Sequence, residues 1–148
     1  MSDPDHEPTA RHAALNSLAG DERAGYEIVV VGPCASGKST LAVGLIGLGY
    51  RARVVGQEHS EIERLWQRHD PAVVIGLQAS LETVRNRRGH GWSASVYARQ
   101  QRRLAPAMAA AAVVIDTGEV TAMATLAVAA AAIREAGIRA SPGDGSGT

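Results

Sequence analysis

Fifteen basic residues are present and only one of them, Lys38, is a lysine. It stands in the run Gly32, Pro33, Cys34, Ala35, Ser36, Gly37, Lys38, Ser39, Thr40, which satisfies G-x-x-x-x-G-K-[ST] with a β-branched run before it and a helical pattern after it. The chemistry that needs this spacing is the cradling of a polyphosphate. Glycines at 32 and 37 let the backbone turn successive N–H groups inward, and a helix starting near Lys38 adds the positive end of its dipole. Lys38 is then expected to reach the β and γ oxygens, with the Ser39 hydroxyl as a ligand for Mg²⁺. An ammonium is compact where a guanidinium is a broad fork, which explains why a chain that otherwise uses arginine departs from it here. The expected ligand is a nucleoside triphosphate, ATP or GTP, with Mg²⁺.

Further residues can act on a phosphate held there. Gln57, Glu58, His59 and Ser60 follow the second β-branched run, and ligands sit at the carboxyl ends of parallel strands. Glu58 is the expected base or water-mediated metal ligand, with His59 as its alternate. The same stretch also reads as a polar turn in which Ser60 caps the next helix and Glu63 completes a capping box. Between 85 and 103 there are six arginines and no acid. Arg85 and Arg88 lie one helical turn apart and share a face. With Arg102 they are the expected cations over a transferring phosphoryl group, whose charge spreads over its equatorial oxygens. Singly, each arginine reads as part of a solvated helix face. Gly89, His90 and Gly91 are the expected hinge of a lid that Trp92 closes. Cys34 reads as a small residue at a free loop position, with redox gating as the sharper alternative. Asp116 and Thr117 read as turn residues or as contacts to a base, and the turn reading is favoured for their side chains.

The elements that must position these groups alternate along the chain. Strands are expected over 27–31, 52–55, 72–75 and 112–115, and helices over 38–48, 61–69, 80–88, 94–109 and 121–136. Short β-branched runs followed by helical segments are the pattern of βαβ units around a parallel sheet. The expected fold is α/β: a three-layer sandwich on a mostly parallel sheet of four strands, with room for a fifth. An N-terminal arm over 1–24 and a tail over 141–148, rich in turn-forming residues, flank a single domain over 25–140.

With the loop motif placed, residues 26–136 resemble the small P-loop kinases of metabolites and nucleotides, such as dephospho-coenzyme A kinase, adenylate kinase and shikimate kinase. Three segments carry the likeness. Residues 72–88 look like the strand and helix that lead into an arginine-bearing lid, and Arg99-Gln-Gln-Arg102-Arg103-Leu is similar to the helix returning from it. Ala112-Val-Val-Ile-Asp116-Thr117-Gly118 is similar to the late strand and loop against which adenine packs. The resemblance implies a P-loop NTPase fold and a kinase-like phosphotransferase or ATPase acting on a small molecule. It also implies an acid near Glu58 that activates the acceptor or holds metal. The chain departs from the pattern in its short interval between Glu58 and Ala72, in a missing strand, and in Gly76-Leu77-Gln78 where an aspartate is common. A non-catalytic nucleotide-binding sensor or regulatory module with an arginine lid is therefore the alternative.

Composition sets the outer bounds. The formal charge is zero, which argues against a general nucleic-acid binder, since such a surface needs a sustained excess of basic residues. One cysteine rules out an internal disulfide and a multi-cysteine zinc framework. The start of the chain is acidic where a secretory signal is basic and then apolar. The longest apolar stretch, over 120–133, is shorter than the ~20 residues a bilayer requires. The expected location is cytoplasmic.

Overall fold

The computed structural model describes residues 28–141. The arm expected over 1–24, and all but the first residue of the tail expected over 141–148, lie outside them. Four strands, β1 (Ile28–Val31), β2 (Ala52–Val54), β3 (Val73–Gln78) and β4 (Val113–Asp116), form one all-parallel sheet in the order β2-β1-β3-β4. Four α-helices connect or follow them: α1 (Lys38–Gly47), α2 (Leu81–Arg88), α3 (Ala94–Ala110) and α4 (Ala122–Glu135). No fifth strand occurs among the described residues, and no helix there is long and apolar enough to cross a membrane.

The sheet is covered on both faces, and β1 shows why its sequence is an unbroken apolar run. Ile28 and Val30 pack with Leu41 and Leu45 of α1 and with Ala129 and Ile133 of α4. Val29 and Val31 face the other way, against Trp66 and against Leu104 and Ala107 of α3. All four β1 side chains are fully buried, as a central parallel strand requires. Burying each side chain of this size is worth roughly 1.5–3 kcal/mol, so β1 anchors both layers at once.

Two expected boundaries differ. Sequence places the end of the third strand at Ile75, but β3 runs on to Gln78, pairing Leu77 with Ile115 and Gln78 with Asp116. Glycine and glutamine are poor strand formers in isolation; here pairing to a neighbour overrides propensity. The helix expected over 61–69 does not form. A 3-10 turn, Leu65–His69, takes part of its place, and another, Gln57–His59, precedes it. The buried Gln57 amide explains this: its Nε2 donates to the carbonyls of Ile62 (2.8 Å) and Glu63 (3.2 Å), and its Oε1 accepts from Trp66 N (3.0 Å). One side chain thus satisfies backbone groups that an α-helix would have paired internally. Ser60 accordingly caps no helix with Glu63; its Oγ accepts from Ile62 N at 2.9 Å, closing a tight turn.

The strand order fixes where a ligand can sit. From β1 the chain crosses to β2 on one side and then returns to β3 on the other. The loops leaving β1 and β3 therefore part at the carboxyl edge of the sheet and open a crevice there. Residues 32–40 leave β1 and residues 56–60 leave β2, so the glycine loop and Glu58 meet at that edge.

Candidate functional site

Gly32 begins the loop where no side chain fits. A Cβ there would lie 2.6 Å from Ser36 Oγ and 2.9 Å from the Leu77 carbonyl oxygen. Gly32→Ala is expected to cost about 1–3 kcal/mol, because the Leu77 backbone belongs to β3 and cannot yield; a urea unfolding curve measures it. Gly37 holds φ at +98°, the left-handed region where glycine alone is unstrained. This leaves α1 without a side-chain cap, whereas Ser80, Ser93 and Thr121 cap α2, α3 and α4. The first N–H groups of α1 are thus left to the solvent or to an anion.

Lys38 folds back over the loop. Its Nζ donates to the Gly32 carbonyl, to the Pro33 carbonyl and to Glu58 Oε2, each at 2.9 Å. All three ammonium protons are used. The Glu58 and Lys38 side chains are 4% and 11% exposed, so this is a buried ion pair. Glu58 is presented by the 3-10 turn at Gln57–His59, which Arg103 supports by donating to the Glu58 carbonyl (3.3 Å) and to Glu61 Oε2 (3.0 Å).

A cavity of about 580 Å³ opens beside the loop, bounded by residues 35–41 and by Arg87, Arg88, Thr117 and Val120. Ser39 and Thr40 are exposed toward it. Glu58 does not line it, and no carboxylate does among the described residues. Glu58 is therefore placed as the counter-ion of Lys38, and the arrangement does not set it against an acceptor.

The arginines divide differently from the sequence expectation. Arg87, which helical spacing to Arg85 had passed over, donates to the Ala35 carbonyl (2.6 Å) and the Thr117 carbonyl (2.8 Å), tying the end of α2 to the loop. Arg88 also reaches the cavity, with its guanidinium 5.6 Å from the Trp92 ring centroid. Arg85 does not reach it; its Nε donates to the Trp92 carbonyl at 3.0 Å. Arg102 is exposed on α3 and does not line the cavity. Nor does Trp92 close over the loop: residues 89–93 form a short connection between α2 and α3, and Trp92 borders a separate cavity of about 380 Å³. The signal that finds Arg87 is the buried stripe of α2. Val84 is buried and Leu81 half-buried, and continuing from Val84 by three and four residues gives Arg87 and Arg88.

Thr117 is more than a turn residue. It is buried, and its Oγ1 donates to the Ser36 carbonyl at 2.7 Å, joining the loop after β4 to the loop after β1. Asp116 keeps the turn role, accepting from Gly118 N at 2.9 Å. Tyr97 donates to the Ala79 carbonyl at 2.8 Å. Burial, and secondarily the Asp116 carboxylate, push its hydroxyl above the ordinary tyrosine value, so it stays a donor.

Cys34 and His59 also meet. Cys34 Sγ lies 3.5 Å from His59 Nε2, and the Gln100 side chain grips the cysteine at both ends, accepting from its N (3.2 Å) and donating to its Sγ (3.4 Å). No family model, curated protein or solved structure matches the chain. Functional assignment therefore rests on the chemistry of these residues.

Proposed function

We propose that the chain binds a nucleoside triphosphate, Mg·ATP or Mg·GTP, on residues 32–40 and transfers its γ-phosphoryl group to a small-molecule acceptor or to water, on a P-loop NTPase fold. The observation that carries this reading is the uncapped N-terminus of α1, entered through Gly37 and Lys38 and facing a cavity that Arg87 and Arg88 also line. Positive groups from two helices, beside free backbone N–H groups, suit a polyphosphate. The cavity also falls within the roughly 300–1,000 Å³ of small-ligand sites.

The residues present fit the magnesium nucleotide. Ser39 offers its hydroxyl toward the cavity and is the residue that would hold Mg²⁺, whose part is to neutralise charge between the β and γ phosphates. On binding, Lys38 exchanges the carbonyls of Gly32 and Pro33 for phosphate oxygens. Glu58 keeps the ammonium aimed along the loop, as a positioning residue. Arg87 and Arg88 stabilise the charge that develops on the phosphoryl group. Such a reader of triphosphates with one reduced cysteine belongs in the cytoplasm.

The second reading, a nucleotide sensor without turnover, is favoured by the lack of a carboxylate on the cavity wall. Calorimetric titration with Mg·ATP and Mg·GTP, followed by ATP-consumption assays across pools of hydroxyl- and phosphate-bearing acceptors, separates the two. Binding with turnover in a pool supports transfer. Binding without turnover in every pool leaves the sensor, and no binding overturns both.

A further inference from the structure

We propose that Cys34, Glu58 and His59 form a binding site for one divalent ion of the zinc class. The site lies at the carboxyl edge of the sheet where the loops from β1 and β2 meet, outside the wall of the 580 Å³ cavity. One ligand atom from each residue lies within 4.8 Å of the other two. His59 Nε2 is 3.5 Å from Cys34 Sγ and 3.4 Å from Glu58 Oε2. A tetrahedral ion with bonds of about 2.3 Å to sulfur, 2.05 Å to nitrogen and 2.0 Å to oxygen separates S from N by about 3.6 Å and N from O by about 3.3 Å. The two edges at the imidazole match this frame.

The direction of the contacts argues for an ion over a proton relay. In a thiol–imidazole–carboxylate relay the acid holds one ring nitrogen and the nucleophile faces the other. Here sulfur and carboxylate converge on the same nitrogen, Nε2, so the three groups surround a point. A single N–H satisfies at most one of the two acceptors well, whereas a cation satisfies both. Glu58 provides a second, independent sign. It is 3% exposed, and its Oε1 is buried without a hydrogen-bond partner. Lys38 takes one lone pair of Oε2, the oxygen that faces His59, and leaves Oε1 open, so the carboxylate retains capacity for a cation beside the ammonium.

The donor set selects the metal. Thiolate and imidazole beside one carboxylate suit zinc and its neighbours, and not Mg²⁺ or Ca²⁺, which take oxygen. Thiolate and carboxylate offset the ion's two charges, the Lys38 ammonium on the same carboxylate leaves the site one positive charge in excess, and binding releases the Cys34 thiol proton as the metal–sulfur bond forms. Three protein ligands leave a fourth position open to water. Gln100 acts behind the site: its donation to Sγ and its hold on Cys34 N orient the sulfur.

The test uses the untagged full chain, stripped of metal, titrated with cobalt(II) and then zinc without nucleotide. One equivalent of cobalt is expected to raise a near-ultraviolet thiolate-to-cobalt absorption band, and zinc to displace it. Cys34→Ser, nearly isosteric, loses the band. His59→Ala, at a side chain 62% exposed and so replaceable without disturbing the fold, weakens binding by more than about tenfold, the lower end of what even outer-shell partners are worth. His90→Ala binds as the wild type. Absence of the band in the folded wild type, its survival in Cys34→Ser, or unchanged affinity in His59→Ala overturns the proposal. Since nucleotide is absent throughout, failure here leaves the triphosphate reading standing, and failure of nucleotide binding leaves this site standing.

Discussion

Lys38→Ala is expected to abolish nucleotide binding and, in the same variant, to cost about 3–5 kcal/mol of folding stability. The two losses have one origin. Lys38 is the cation that balances the buried Glu58 carboxylate and that closes the loop on the carbonyls of Gly32 and Pro33. Its removal strands a charge at 4% exposure, with Oε1 already unpartnered. Adding Glu58→Gln to the alanine variant neutralises that charge, so the double variant regains most of the stability while binding stays lost. Glu58→Gln alone removes the charge that aims Lys38 along the loop and is expected to weaken nucleotide binding, since the ammonium is then held by a neutral amide and the loop carbonyls alone. Lys38→Arg keeps the charge, but a planar fork cannot serve three acceptors in a space shaped for a point cation, so binding fails there as well. Urea unfolding and calorimetry on the four variants and the wild type read both effects. Equal stability of Lys38→Ala and the wild type would show that the pair contributes nothing net.

What the chain disclosed in advance, and what it withheld, follows from the range over which each residue acts. β1 was legible because a strand buried on both faces must be apolar throughout, and 28–31 is. Helices α2, α3 and α4 were legible because Ser80, Ser93 and Thr121 cap them locally, each side chain accepting from N–H groups two or three residues on. The loop at 32–40 was legible because its geometry is set by its own glycines, although the approach of Gly32 to Leu77 comes from β3, 45 positions later in the chain. The region 57–69 was not legible. Its helical pattern is real, but Gln57 is buried and spends its amide on Ile62, Glu63 and Trp66. A glutamine written in a polar stretch gives no sign that it will be enclosed. Glu58 was legible as a residue at the carboxyl end of β2, but its ion pair with Lys38 was not, since that contact exists only when β1 and β2 lie side by side.

Arg87→Ala is expected to lower turnover about 10³-fold, the scale of a cation that stabilises phosphoryl transfer, while changing stability by only about 1 kcal/mol. Arg87 is exposed, and its bonds run to the backbone carbonyls of Ala35 and Thr117. Those partners are neutral. A guanidinium resting on neutral carbonyls at the rim of the proposed triphosphate site gains more when charge arrives than it held before, which is the condition for acting on a transition state more than on the resting protein. Arg85 fails that condition because its Nε serves the Trp92 carbonyl, away from the cavity, and Arg102 fails it because α3 directs it to solvent. Arg85→Ala and Arg102→Ala are therefore expected to retain near wild-type turnover. Steady-state kinetics with the accepted substrate, set beside nucleotide affinity, gives the decisive split. A fall in kcat at constant affinity assigns Arg87 to the transition state. A loss of affinity with kcat unchanged makes it a ground-state clamp, the behaviour of a sensor that closes on its nucleotide without consuming it.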